Sequence, residues 1–486
     1  MKISQEELIS VLAQFNPWWR GESVPELPDW RRAAFRELHN WLVAPPAPRA
    51  VLLSGARQIG KTTLLLQVIQ ALLRNGVPAA NILYVTFDHP LLKLASVDAV
   101  LQAWRAREPA AEGSEYLFMD EAQFIRDWGT WIKHQVDFNK SRRIAFTGSA
   151  MPMTEALQES GVGRWHTLRM TTLSFFEYLQ IKRLTLPALP HLHSLRELFQ
   201  WQTADFARVA ESAEPYVAHF HEYLVRGGFP QTAQVESISQ AQRLLREDII
   251  DKVLKRDMTA LFGVRRVLDL EHTFLYLCMH DGGLLDVADL CANLEVKRPT
   301  AQNFIELLES AHLIHRLAPF GYGKDILRAR FKIYLADAAM APAVMLKGKA
   351  MLEDPAALGV ATETAVFKHL LSRCYASSVR FSYWRGRKQH EVDLLADVGD
   401  QLIPFEVRYR NQHTGKRELR GLLELCDTKT IEHGYIVTRA MQDFGGFNEK
   451  QLNDRLSTQL IRVPAALLCY WLGASELDST EQPVSL

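Results

Sequence analysis

Between residue 49 and about residue 170, short unbroken apolar runs alternate with longer stretches whose apolar residues recur every three or four positions. That alternation predicts a parallel sheet with crossover helices. Strands are expected at Ala50–Ser54, Asn81–Asp88, Glu115–Asp120 and Arg142–Ser149, with a short fifth at His166–Met170 and a helix from Lys61 to about Arg74. Upstream, a short amphipathic helix, the pair Trp18–Trp19 and a helix from about Asp29 to Leu42 precede the break Ala44-Pro45-Pro46-Ala47-Pro48. The two tryptophans read as packing anchors. Residues 171 to about 260 are mostly helical by periodicity. Three more helical patterns follow at Val267–His280, Leu285–Leu294 and Pro299–Ala311, then strands at Leu313–Pro319 and Phe331–Leu335. The C-terminal part begins with a helix from about Thr362 to Arg373 and continues with strands at Val379–Trp384, His390–Leu395 and Leu402–Arg408.

The first strand runs into Gly55-Ala56-Arg57-Gln58-Ile59-Gly60-Lys61-Thr62-Thr63, the pattern of a phosphate-binding loop. Glycines let consecutive backbone N–H groups curl toward one anion, and the helix that follows presents its positive end. In that pattern Lys61 reaches the β- and γ-phosphates, a catalytic as well as a binding role, and the Thr62 hydroxyl holds Mg²⁺. The third strand ends Phe118-Met119-Asp120-Glu121. An acidic pair there suits Asp120 to Mg²⁺ coordination and Glu121 to orienting or deprotonating the attacking water. Gln123, on the same turn as Glu121, is either a sensor or a surface residue. The fourth strand ends Thr147-Gly148-Ser149, whose hydroxyls are candidates for sensing the γ-phosphate or are simply polar groups at a turn. Arg164, Arg169 and Arg256 are open candidates for an arginine finger or sensor.

Composition narrows little. The 486 residues are 48% hydrophobic and 23% charged, and the 56 basic residues balance the 56 acidic ones, so any nucleic-acid surface must be local. Five scattered cysteines without a C-x-x-C pair suggest free thiols rather than a zinc site or disulfide framework. His191/His193 and His219/His221 lack a completing ligand set and read as solvated or core histidines. The charged start and the absence of a long apolar run point to a soluble, cytoplasmic protein with no membrane contact.

The set Gly55–Thr63, Phe118–Gln123 and Phe146–Ser149 resembles the AAA-type P-loop ATPases of bacteria and archaea that carry a C-terminal domain of unknown function. Further matches are Gly163-Arg164, Leu173–Leu179 and Tyr223–Pro230. The resemblance covers nearly the whole chain, although Ala56 stands where that family usually has proline. It implies an α/β fold: an AAA-like ATPase core with a parallel sheet, a helical and winged-helix middle region, and a C-terminal α/β module similar to PD-(D/E)XK nucleases. It also implies ATP and Mg²⁺ as ligands. The helix–helix–helix–hairpin order over 265–320 fits a winged helix, but the third helix carries Glu306 and Glu309 after Lys297 and Arg298, favouring protein contact over DNA reading.

Strand alternation sets Glu391 with Asp393, and Glu406 with Arg408, on common faces, and a hairpin would bring Asp393 and Glu406 together. With Glu363 on the preceding helix, this trio resembles the PD-(D/E)XK site, in which Asp393 and Glu406 hold a divalent metal and Glu363 and Arg408 complete the catalytic set. The usual Glu-x-Lys is here Glu406-Val407-Arg408, and arginine cannot serve as a base. Arg385, Arg387, Lys388, Arg410, Lys416, Arg417 and Arg420 form a basic stripe that suits a phosphate backbone or a solvated face. The expected divisions are an N-terminal helical segment (1–47), ATPase core (48–175), helical lid (176–264), winged helix (265–320), linker (321–354) and nuclease-like domain (355–486). Two functions stand against each other: an ATPase driving a module that acts on DNA or RNA, and a nucleotide-gated scaffold whose dead nuclease fold docks a second copy or another protein.

Overall fold

The computed structural model describes residues 3–149, 163–321, 330–375, 377, 379–386, 390–399, 401–410, 418–447, 458–477 and 486. Arg387, Lys388, Lys416 and Arg417 of the basic stripe lie outside them. The chain divides into two compact units, one of Met1–Met170, Asp257–Val264 and Ser310–His312, the other of Thr171–Arg256, Arg265–Glu309 and Leu313–Leu486.

In the first unit, β1 (Ala50–Ser54), β2 (Ile82–Thr86), β3 (Glu115–Asp120), β4 (Arg142–Gly148) and β5 (Trp165–Arg169) form one sheet in the order β2-β3-β4-β1-β5, every pair parallel. A parallel sheet is covered on both faces, so its strands must be apolar almost throughout. Ala50 to Leu53 and Ile82 to Val85 are indeed buried without interruption. The second and fourth strands end at Thr86 and Gly148, slightly earlier than expected. Parallel pairing puts the C-terminal ends of β1, β3 and β4 on one edge, where α/β sheets bind ligands.

The N-terminal segment seals the free edge of β2. The helix Gln5–Phe15 starts at a Ser4/Glu7 capping box and ends at Asn16. The buried Asn16 amide accepts from the Tyr84 N–H at 2.7 Å and donates to the Tyr84 carbonyl at 2.8 Å. Trp18 and Trp19 both donate their indole N–H to the Ile82 carbonyl, at 3.2 and 3.0 Å. Side chains thus replace the missing neighbour strand on an otherwise open edge.

The second unit holds helices Val267–Met279, Val287–Leu294 and Arg298–Ser310, and an antiparallel pair of β6 (Ile314–Leu317) and β7 (Lys332–Leu335), with Leu284 bridged to Lys332. It also holds a mixed six-stranded sheet, ordered β12-β13-β11-β10-β9-β8, of β8 (Arg380–Arg385), β9 (Glu391–Asp397), β10 (Leu402–Arg408), β11 (His433–Thr438), β12 (Gly445–Gly446) and β13 (Gln459–Pro464). The helix preceding β8 spans Pro355–Arg373 and so begins well before Thr362. Asp354 accepts from the Ala356 and Ala357 N–H groups and Pro355 occupies the first turn, so the helix opens where the expected linker ends. No helix among the described residues is long and apolar enough to cross a membrane.

One joint ties this unit together. Ser174 and Glu177 cap the helix Phe175–Ile181 reciprocally, and the Leu173 N–H donates to the Gly228 carbonyl at 2.6 Å. Asp337 accepts from the Thr172 hydroxyl (2.6 Å) and the Gly228 N–H (2.9 Å). The fully buried Lys368 donates to the Leu173 carbonyl at 2.5 Å and to the Tyr223 hydroxyl, and burial pushes its pKa down to about 8. A Cβ on Gly228 would lie 2.5 Å from the Leu173 carbonyl oxygen and 2.9 Å from its nitrogen. Gly228→Ala should therefore lower stability by about 1–3 kcal/mol through overpacking against backbone, read as a fall in the denaturation midpoint.

Candidate functional site

The loop after β1 is held tightly to the sheet. A Cβ on Gly55 would meet the Met170 carbonyl oxygen at 2.3 Å and Ile59 Cδ1 at 2.5 Å, so only glycine fits. Gln58 (φ 58°) and Gly60 (φ 95°) adopt left-handed backbone, and the helix Lys61–Arg74 begins directly after. Arg32 donates to the Ile59 carbonyl at 2.8 Å, fixing the loop from outside. Lys61 curls back over the loop and donates to the carbonyls of Gly55 (2.8 Å) and Ala56 (2.7 Å). Burial pushes its pKa down, opposed by the charges of Glu121 and Asp120. Gly55, Ala56 and Ile59 are buried, Arg57, Gly60 and Thr63 half-buried, and Gln58 and Thr62 exposed.

The Asp120 carboxylate, 3% exposed, is the hub. It accepts from the Thr62 hydroxyl at 2.7 Å, the Thr147 hydroxyl at 2.5 Å and the Tyr84 hydroxyl at 2.9 Å. Thr147 also accepts from the Glu121 N–H at 2.9 Å, so one hydroxyl positions both acidic residues. Glu121 itself has left-handed backbone (φ 56°), rare for a non-glycine residue. The Gln123 amide donates to Glu121 Oε2 and, at 3.1 Å, to the Ser149 hydroxyl, which in turn donates to Glu121 Oε2 at 3.1 Å. Gln123 is 8% exposed, so it is not a surface residue.

Three partners carried no sequence signal. Tyr84 reaches Asp120 from β2, and burial together with that carboxylate raises its pKa, keeping the phenol a donor. Arg57 forms an ion pair with the buried Asp257 at 2.6 Å, and Ser54 Oγ lies 3.0 Å from His312 Nε2. The arginine candidates separate. Arg164 pairs with Asp137 at 3.3 Å, Arg169 sits opposite Ser54 in the β1–β5 register, and Arg256 is exposed in the helical segment Leu245–Asp257.

In the second unit, the β9–β10 hairpin brings Asp393 beside Glu406, as strand alternation predicts. The Val407 N–H donates to Asp393 Oδ2 at 2.9 Å and the Asp393 N–H to Glu406 Oε2 at 3.4 Å. Two cations sit among these carboxylates. Arg408 pairs with Glu406 and, at 3.4 Å, with Asp393. Lys332, from β7 and 3% exposed, pairs with Glu391 (2.7 Å), Glu363 (3.3 Å) and Asp393 (3.4 Å). Tyr334 donates to Glu363 at 2.6 Å. Burial opposes the Lys332 charge, but Glu363, Asp393 and Glu391 outweigh it and raise its pKa. Burial and the neighbouring Asp393 push both Glu363 and Glu406 upward. Among the described residues no group of three or more His, Cys, Asp or Glu side chains is arranged to hold a metal ion. His221 lies 2.7 Å from the Tyr409 hydroxyl, and burial pushes its pKa down to about 4.

Residues 47–179 match a family described as "AAA domain", and residues 217–351 and 358–454 match two domains of unknown function, DUF8612 and DUF4143. An uncharacterized protein of Haemophilus influenzae is 25% identical over 393 residues, covering 77% of this chain and 86% of its own length. One of Mycobacterium tuberculosis is 25% identical over 402 residues, covering 81% and 77%. Among solved structures, a Walker-type ATPase of Pyrococcus abyssi aligns with a TM-score of 0.33 at 14% identity, covering 65% of this chain and 95% of its own. AMPPCP-bound DnaA of Aquifex aeolicus aligns with a TM-score of 0.26 at 11% identity, covering 57% and 86%. By the family matches, the chain carries an AAA domain over residues 47–179 and a DUF4143 domain over residues 358–454.

Removing one partner of a buried ion pair leaves the other charge uncompensated, at a cost of about 3–5 kcal/mol. Lys332→Met should therefore destabilise the second unit on that scale, seen as a loss of urea-midpoint stability, and Arg385→Ala, at an exposed strand end, should not.

Proposed function

We propose that the protein binds and hydrolyses Mg·ATP on the edge formed by β1, β3 and β4. The observation that carries this reading is the convergence of Thr62, Thr147 and Tyr84 on Asp120 beside the Gly55–Thr63 loop. Backbone N–H groups of Gly55 to Thr63 cradle the phosphates, and Lys61 leaves the Gly55 and Ala56 carbonyls to meet them. Thr62 and Asp120 fit Mg²⁺, an oxygen-seeking ion, and would hold it; bound there, it neutralises charge on the transferred phosphoryl group. Glu121 orients the attacking water and takes its proton, while Thr147 and Ser149, expected as γ-phosphate sensors, give their hydroxyl protons to Asp120 and Glu121 and act through those acids.

The domain divisions expected above are retained in this reading. Winged-helix architecture over 265–320 is supported by its three helices and β6, which pairs with β7 from the segment expected as a linker. For the C-terminal module, nuclease-like descent is supported by Asp393 and Glu406 facing each other on a hairpin beside Glu363. One observation favours the scaffold reading over nuclease action: Lys332 and Arg408 already compensate those carboxylates. The acid cluster as built does not fit a divalent metal, so no cleavage step is assigned to it. ATP turnover then switches a docking module whose partner is a protein or a second copy.

Lys61→Ala should abolish binding of a fluorescent ATP analogue, and Glu121→Gln should keep binding while reducing turnover by about 10²–10⁴-fold. Unchanged turnover in both variants would overturn the ATPase reading. Mixed DNA and RNA incubated with Mg²⁺ or Mn²⁺, with and without ATP, should remain intact. Cleavage that disappears in Asp393→Ala would restore the nuclease reading.

A further inference from the structure

Gln123 is a buried amide with an unusual allocation of its two ends. Its nitrogen is shared between Glu121 Oε2 and the Ser149 hydroxyl. Its oxygen is enclosed and has no hydrogen-bond partner among the described residues. The opposite amide orientation would set the oxygen against the Glu121 carboxylate, so the network itself fixes which end faces the acid. A buried acceptor without a partner costs stability. Residues that break such local rules concentrate at sites where function demands them.

The consequence for Glu121 is geometric. Both described donors, the Gln123 amide and the Ser149 hydroxyl, converge on Oε2. Its main-chain N–H is tied to Thr147, and its backbone lies in the sparsely populated left-handed region. A carboxylate anchored at the backbone and at one oxygen has its remaining oxygen, Oε1, aimed in one direction. We infer that Gln123 is a positioning residue of the hydrolysis reaction: with Ser149 it clamps Glu121 by Oε2 and leaves Oε1 to take the proton from water. In that step the water oxygen bonds to the γ-phosphorus, the bond from phosphorus to the β–γ bridging oxygen breaks, and the electron pair leaves on ADP. The water proton passes to Glu121 Oε1. Fixing the base before the step removes the orientational search from the barrier.

This inference rests on the ATPase reading above and can fail without it. The test uses the full chain and ATP with Mg²⁺, comparing wild type with Gln123→Leu, Ser149→Ala, the double variant, and Gln123→Leu in a Glu121→Gln background. Gln123→Leu should lower kcat by about 10²-fold, the lower part of the range for a positioned base, with KM and nucleotide-analogue affinity unchanged. Its thermal midpoint should stay the same or rise, because the unpaired amide oxygen is gone. In the Glu121→Gln background the same substitution should have no further effect on kcat, and the two single losses should not multiply in Gln123→Leu/Ser149→Ala. A Gln123→Leu protein that turns over like wild type would overturn the clamp, as would a multiplicative loss in the Glu121→Gln background. So would loss of kcat that only follows a lowered midpoint. Absence of turnover in the wild type would instead overturn the ATPase reading.

Discussion

The buried carboxylate of Asp120 is the constraint on which the first unit depends. An ionised group at 3% exposure is costly unless hydrogen bonds replace its water. Three hydroxyls do so, and each comes from a different element: Thr62 from the helix after the phosphate loop, Thr147 from β4 and Tyr84 from β2. Satisfying one charge therefore fixes the ends of β2, β3, β4 and the loop helix relative to one another. Thr147 passes the order on. Its hydroxyl gives its proton to Asp120 and accepts from the Glu121 N–H, so the position of the second acid follows from that of the first.

The parts of this site that were legible in the sequence are those where backbone geometry dictates residue type. Gly55 is required by the closeness of Met170 and Ile59, and Gly60 by its left-handed backbone, so the loop announces itself. Asp120 and Thr147 stand at the ends of unbroken apolar strands, and parallel pairing alone brings those ends to one edge. Tyr84, Asp257 and His312 lie outside any local pattern. Each depends on a contact between distant stretches, with Arg57 and Asp257 two hundred positions apart in the chain. Gln123 is intermediate: its position on the turn after Glu121 was readable, but its burial was not.

The motifs shared with the resembling family divide by a similar physical rule. Those around Leu173–Leu179 and Tyr223–Pro230 have no chemistry of their own and form a joint. Gly228 is small because the Leu173 backbone lies against it, Asp337 is acidic because it accepts from both segments, and Lys368 donates across the junction. The start of the helix at Pro355 was obscured for a different reason. Proline reads as a breaker, yet beside a capping Asp354 it opens the first turn.

The C-terminal cluster shows how far a departure from a motif can mislead when read along the chain alone. Arg408 in place of lysine suggested a missing amine, yet an amine is present, delivered by Lys332 from β7. The two cations divide the work by shape. The planar guanidinium lies along β10 and spans Glu406 and Asp393, whereas the compact ammonium reaches Glu363, Glu391 and Asp393 at once. Because those acids raise the Lys332 pKa rather than lower it, the amine stays charged and has no capacity to act as a base. Four carboxylates share two cations, and burial with the neighbouring Asp393 pushes Glu363 and Glu406 upward. A cluster balanced in this way stores its electrostatics in holding β7 to β9, β10 and the Pro355–Arg373 helix. Its contribution to the protein is therefore the geometry of the unit around it.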